Sequence, residues 1–242
     1  MTAGAPRYRR LLLKVSGEGF ARPGETGLDT KRVQALASQL EQLVEQGIQV
    51  ACVIGGGNIL RGAQSDTLGI DRATADYMGM LATVINGLAL CDALESHGVP
   101  TRVMSAIDVH KVCEPFIRRR ALRHMEKGRV VVLVGGLGNP YFTTDTTAAQ
   151  RAAELDCDVL LKATMVDGVY DKDPRKHADA VRLPELTFDQ VLDQRLRVMD
   201  QTAFTLCREN DLPLVVFDMA TEDGLLRAAA GDNVGTVITN PS

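Results

Sequence analysis

Two lysines sit where lysine is costly. Lys14 comes near the end of the apolar run 11–15, and Lys162 lies inside Val159-Leu160-Leu161-Lys162-Ala163. An ammonium in such a run needs a partner. A snorkelling side chain at a strand end is the ordinary explanation. The turn Ser16-Gly17-Glu18-Gly19 directly after Lys14 favours a phosphate ligand instead. Two lysines converging on one group would neutralise charge on a transferring phosphoryl, a step that needs positioning and electrostatics more than covalent chemistry.

Three glycine-bearing turns each follow an apolar run: Ser16-Gly17-Glu18-Gly19, Gly55-Gly56-Gly57-Asn58 and Gly135-Gly136-Leu137-Gly138-Asn139. Glycine lets backbone N–H groups approach phosphate without a Cβ in the way. Three such turns at strand ends describe a chain that wraps several phosphates. G-x-x-x-x-G-K-[ST] is absent, and no turn completes G-x-G-x-x-G, so neither a P-loop kinase nor a dinucleotide-binding dehydrogenase fits.

Phe142-Thr143-Thr144-Asp145-Thr146 opens a helix after the third turn. An N-cap by Thr144 or Asp145 is the plain reading. The functional reading adds that the helix N-terminus and the hydroxyls bind an acceptor phosphate, while Asp145 orients Lys14 or a Mg²⁺-bound phosphate. Arg61 stands close enough to the second turn to fold back on phosphate. Asp76, on an otherwise apolar stretch, needs an arginine or a sugar hydroxyl as partner. Asp167, Asp171 and Asp173 cluster with Tyr170 in a charged loop, a pattern that is usually just solvated. His97, His110, His124 and His177 have no metal-ligand spacing.

These residues need a scaffold of alternating strands and helices. Strands are expected at 11–15, 49–54, 102–105, 129–134, 159–163, 214–217 and 236–239. Helices are expected after Asp29, over about 71–96, 115–127, 146–155 and 202–209, in a short segment opened by the capping box of Thr187 and Gln190, and over 222–229. Residues 164–186 read as an extended loop or hairpin. Such alternation gives one α/β domain over 1–242, with a mostly parallel sheet and helices on both faces. The acceptor half is expected nearer the N-terminus and the nucleotide-donor half nearer the C-terminus. Helix 71–96 is apolar on most faces, which a thick core or a subunit interface would explain.

The totals fit. The chain has 242 residues, is 45% apolar and only 4% aromatic, and has a formal net charge of −4. A mildly acidic whole speaks against a dedicated nucleic-acid or membrane-surface binder, whose affinity comes from basic patches. Five cysteines, with no C-x-x-C, read as free thiols in a reducing compartment. No apolar leader opens the chain and no stretch approaches about 18 uninterrupted apolar residues, so a cytoplasmic location is expected.

Together, Lys14-Val15-Ser16-Gly17-Glu18, Ile54-Gly55-Gly56-Gly57-Asn58 with Arg61-Gly62, Asp76-Tyr77-Met78-Gly79-Met80-Leu81-Ala82-Thr83, Gly138-Asn139-Pro140-Tyr141-Phe142-Thr143-Thr144-Asp145, and Lys162-Ala163-Thr164 with Val166-Asp167-Gly168-Val169-Tyr170 resemble the bacterial uridylate (UMP) kinases of the amino-acid kinase superfamily. The likeness covers nearly the whole chain, in order, and takes in Val198-Met199-Asp200 and Gly235-Thr236. It implies a three-layer α/β/α sandwich, a homohexamer, and transfer from ATP to UMP with Mg²⁺, in pyrimidine nucleotide biosynthesis. Lys14, Asp145 and Lys162 are then the catalytic residues. Lys14, Val15, Ser16, Gly17, Gly57, Arg61, Thr164, Tyr170 and Asp173 fall on the ATP side. Gly56, Asp76, Leu137, Gly138, Asn139, Pro140, Tyr141, Phe142, Thr143 and Thr144 fall on the UMP side. GTP as activator and UTP as inhibitor are implied, with Arg22, Pro23, Gly24, Glu25, Thr26, Gly27, Asp92, Arg102 and Arg129 at the GTP positions. Mg²⁺ is expected mainly on the ATP phosphates, with Asp145 or Asp200 as its protein contact. Leu137 stands where these kinases often carry a hydroxyl, and Met165 where a basic residue is common.

Two other readings share these residues. A carboxylate or carbamate acceptor would need no ribose-recognising segment, and Asp76 with residues 138–144 speaks against it. A nucleotide-sensing module would have lost Lys14 or Asp145, and both are present.

Overall fold

A computed structural model describes residues 7–60, 69–174, 176–196 and 198–241. Nine strands form one sheet in the order β4-β3-β5-β2-β1-β6-β10-β11-β9. They are β1 (Arg10–Val15), β2 (Gln49–Ile54), β3 (Thr101–Ser105), β4 (Glu114–Pro115), β5 (Val130–Val134), β6 (Val159–Thr164), β9 (Glu185–Thr187), β10 (Leu214–Asp218) and β11 (Gly235–Thr239). The intervening β7 (Val169–Tyr170) and β8 (Arg182–Leu183) pair as a separate antiparallel hairpin. The nine-stranded sheet is parallel from β4 through β10. The antiparallel step is β10 to β11, and β9 then pairs parallel with β11.

Side chains alternate across the sheet, as a strand's period of two requires. Leu11, Leu13 and Val15 of β1 enter one core, beneath α1 (Thr30–Glu45), α2 (Arg72–Ser96) and α7 (Gly224–Ala230). Leu12 enters the other, beneath α3 (Arg118–Glu126), α4 (Thr144–Glu154), α5 (Phe188–Asp193) and α6 (Gln201–Glu209). The result is the three-layer arrangement expected from the alternation of elements.

Local chemistry sets the helix ends. Asp29 caps α1 by accepting from the Arg32 N–H, and Asp71 caps α2 through the Ala73 and Thr74 N–H groups. Thr187 and Gln190 make the expected reciprocal capping box. The helix expected from 115 begins only at Arg118, because Glu114 and Pro115 pair with Met104 and Ser105 as an edge strand. Proline is tolerated there, at a sheet edge. By length and composition α2 could cross a membrane, but half of its most apolar window is buried against the rest of the fold.

Candidate active site

Lys14 and Lys162 are direct register partners across β1 and β6. Paired residues of parallel strands face the same side of the sheet, so both ammoniums emerge beneath α4. Asp145, in the first turn of α4, lies between them. Its Oδ1 is 3.1 Å from the Lys14 Nζ, and its Oδ2 accepts from the Lys162 Nζ at 2.6 Å. Lys162 also donates to the Val198 carbonyl at 2.6 Å. Lys14 and Lys162 are each less than a tenth exposed.

Burial acts to raise the Asp145 carboxyl, but the charges of Lys14 and Lys162 outweigh it and hold the group below its ordinary value of 3.8. Burial pushes the Lys162 ammonium down from its ordinary 10.5, Asp145 opposes the shift, and Lys14 adds to it. Two ammoniums share the one carboxylate between them in a poorly solvated place, with Asp200 as a further negative charge acting on Lys162. A pair of ammoniums so placed matches an incoming phosphoryl group.

The cap of α4 is Thr143, not Thr144 or Asp145. Its hydroxyl accepts from the Asp145 and Thr146 N–H groups at 3.1 Å each. Thr143 can do this because it keeps extended backbone angles before the helix begins. The Asp145 side chain is thereby left to the lysines. Asp200 braces the same helix start. It accepts from the hydroxyls of Thr143 and Thr146 while capping α6 through the Ala203 N–H.

A cavity of roughly 540 Å³ opens on one side of this centre. Of the residues assigned to UMP, it is lined by Gly56, Asp76, Leu137, Asn139, Phe142, Thr143 and Thr144. Gly138, Pro140 and Tyr141 belong to the same turn without lining it. Gly57, placed on the ATP side from the sequence, also lines this cavity. Of its two expected kinds of partner, Asp76 finds the arginine within the chain, and a backbone N–H beside it. Arg72 reaches both carboxylate oxygens at 3.1 Å, and the Tyr141 N–H donates at 2.7 Å. Tyr141 takes a positive φ of 71° to present that N–H, at a cost of about 1–2 kcal/mol. Arg72, Met80, Thr83 and Thr147 line the cavity and were missed. The i, i+4 spacing of Arg72 and Asp76 was the available signal.

A second cavity, of roughly 510 Å³, lies between the end of β6, the β7–β8 hairpin, residues 194–196 and Val198. Thr164, Tyr170 and Asp173, placed on the ATP side from the sequence, line it, together with Val166 and Val198 of the quoted motifs and with Leu196 and Val216, which no sequence pattern marks. The Tyr170 hydroxyl donates to Asp167 at 2.6 Å, a bond that raises its pKa. Arg61 lies outside the described residues.

The two glycine turns at the ends of β1 and β2 touch. A Cβ on Gly17 would stand 2.3 Å from the Gly57 nitrogen, so only glycine fits there. Val15 and Ser16 lead into this contact. Lys14, Asp145 and Lys162 lie between the two cavities: Asp145 follows Thr144 of the first, and Lys162 holds Val198 of the second.

The residues at the GTP positions form no single cluster. Arg22, followed by Pro23, Gly24, Glu25 and Thr26, pairs with Asp29, and Gly27 binds Asn58. Arg102 pairs with Glu95 and Glu114 at the far edge of the sheet, Arg129 contacts His124, and Asp92 is exposed. Among the described residues, no hydrogen bond or ion pair joins the loop to that edge.

Residues 9–218 match the amino acid kinase family. A uridylate kinase of Xanthomonas oryzae pv. oryzae is 56% identical over 235 residues, covering 97% of this chain and 98% of the relative. One of Xanthomonas euvesicatoria pv. vesicatoria is equally similar, at 56% over 235 residues with the same coverage. Among solved structures, the UMP kinase of Bacillus anthracis superposes with a TM-score of 0.94 at 39% identity, covering 97% of each chain.

Proposed function

The chain belongs to the amino acid kinase family, in the branch of the uridylate kinases, and from that premise we propose how its two cavities divide the work. The reaction is transfer of the γ-phosphoryl group of ATP to UMP, giving ADP and UDP. The observation that carries the assignment of parts is the Lys14–Asp145–Lys162 centre lying between the cavities.

The first cavity takes UMP. Asp76 accepts from the ribose hydroxyls with lone pairs left beside Arg72 and Tyr141. Thr143, Thr144 and the N-terminus of α4 meet the phosphate. The second cavity takes the nucleoside of ATP, with Thr164, Tyr170 and Asp173 around it, and the triphosphate runs back past Gly17 toward Lys14. The two ammoniums then flank the group in flight and neutralise its equatorial oxygens, while Asp145 offsets their repulsion and keeps them aimed.

Mg²⁺ supplies charge neutralisation on the phosphates when it arrives with ATP. The donor set fits a metal carried mainly on nucleotide oxygens, since no group of three His, Cys, Asp or Glu able to hold one occurs among the described residues. Both carboxylates named for a protein contact with the ion are engaged, Asp200 by two hydroxyls and an N–H and Asp145 by two ammoniums, so a contact by either would replace a partner it has.

A homohexamer is proposed from the resemblance. Tyr77, Leu81, Ile85 and Leu88 support self-association, lying exposed at helical spacing along α2. GTP activation and UTP inhibition are proposed on the same ground. Five free cysteines suit the cytoplasm, where thiols stay reduced.

Asp76→Asn tests the assignment of the cavities. Loss of a charge-assisted bond to ribose, about 1.5–3 kcal/mol, should raise KM for UMP by roughly ten- to a hundredfold and leave KM for ATP near its wild-type value. A rise confined to ATP would reverse the two cavities.

A further inference from the structure

We infer that Asn86, in the middle of α2, is a positioning residue for the phosphate-facing turn Gly55-Gly56-Gly57, acting through Asn58. Both asparagines are essentially inaccessible, at 0% and 1% exposed. Their amides bond reciprocally: Asn58 Nδ2 donates to Asn86 Oδ1 at 3.0 Å, and Asn86 Nδ2 donates to Asn58 Oδ1 at 2.7 Å. The second N–H of Asn86 goes to the Gly55 carbonyl at 2.7 Å, and that of Asn58 goes to the Gly27 carbonyl at 2.7 Å. All four amide N–H donors are therefore used.

Asparagine is a poor residue for a helix interior, and leucines could fill the volume, but they would leave the Gly55 and Gly27 carbonyls without the donors they have here. What the pair supplies is direction. Gly55 is held through its carbonyl and Asn58 through its side chain, so the turn is fixed at both ends by one helix. The two residues between, Gly56 and Gly57, line the acceptor cavity, and the Gly57 nitrogen sits at the seam with Gly17 beside Lys14. Asn58 also accepts from the Gly27 N–H at 2.9 Å, so the loop before α1 is tied to the same turn. A satisfied buried network of this kind specifies one geometry, here that of the backbone facing the phosphate to be moved.

The inference rests on the UMP kinase reading, and the test separates the two. Wild type, Asn86→Asp and Asn86→Ser are assayed together for kcat, for KM with each substrate, and for melting temperature. Aspartate keeps the shape of the side chain but faces the Gly55 carbonyl and Asn58 Oδ1 with acceptors, displacing the turn. It should lower kcat roughly tenfold or more, raise KM for UMP, and leave KM for ATP within about twofold. Serine keeps a donor and should recover part of kcat. If the aspartate variant does not fold, the serine variant must still show the same split, to a smaller degree.

Folded variants with wild-type kcat, or with both KM values raised alike, would overturn the positioning role. Failure of both variants to fold would make the pair purely structural and overturn it too. A wild-type protein inactive on UMP would instead sink the functional reading.

Discussion

Lys14→Ala is expected to lower kcat by about 10²–10³-fold, the usual consequence of removing one preorganised stabilising group, with KM for UMP changed by no more than about threefold. The reasoning is geometric. Lys14 stands at the end of β1, beneath the start of α4 and apart from the residues that line the acceptor cavity. Its ammonium matters most when charge builds on the transferring group, so its loss falls on the transition state. Alanine also leaves Asp145 with Lys162 alone, removing one of the two ammoniums that share it. Steady-state kinetics at saturating ATP read this directly. An unchanged kcat would remove Lys14 from the chemistry, and a large rise in KM for UMP with kcat intact would make it a ground-state ligand.

Asp145→Asn should act through both lysines at once. The amide keeps the shape of the carboxylate but cannot accept two ammoniums with full charge, so Lys14 and Lys162 repel and lose their aim. A fall in kcat of about 10²-fold is expected. A pH signature accompanies it. Burial pushes Lys162 below its ordinary 10.5, and Asp145 opposes the shift most strongly, with Asp200 adding to it. Removing that negative charge lets the Lys162 pKa fall further, so the ammonium is lost at lower pH. The alkaline limb of the kcat profile should therefore move to lower pH in the variant. A limb that stays put or moves upward would contradict the coupling of Asp145 to Lys162.

Much of this was legible in the sequence because it depends on short-range chemistry. The three glycine turns, the lysines inside apolar runs and the caps at Asp29 and Thr187 are local patterns, and each landed where expected. Other features depend on register or on distant partners. That Lys14 and Lys162 are side by side follows from the β1–β6 pairing, which no spacing along the chain reveals. Thr143, Thr144 and Asp145 are all capping residue types, so the cap was assigned to the wrong candidate, and backbone angles alone selected Thr143. Pro115, expected to open a helix, instead joins Glu114 at a sheet edge, because β3 offers backbone groups there. The last strand turned antiparallel, which its apolar pattern could not disclose. Asn86 is one polar residue on a broadly apolar helix, and its meaning appears only when Asn58 is brought against it.

The most direct test is steady-state ADP release with Mg-ATP, offering UMP, CMP, carbamate and acetylglutamate in turn to the same enzyme preparation. Turnover with UMP far above that with the other three is the expected result. Turnover with a carboxylate or with carbamate would keep the fold and the lysine pair but contradict the assignment of the acceptor cavity, and absence of turnover with all four would contradict the reading as an enzyme.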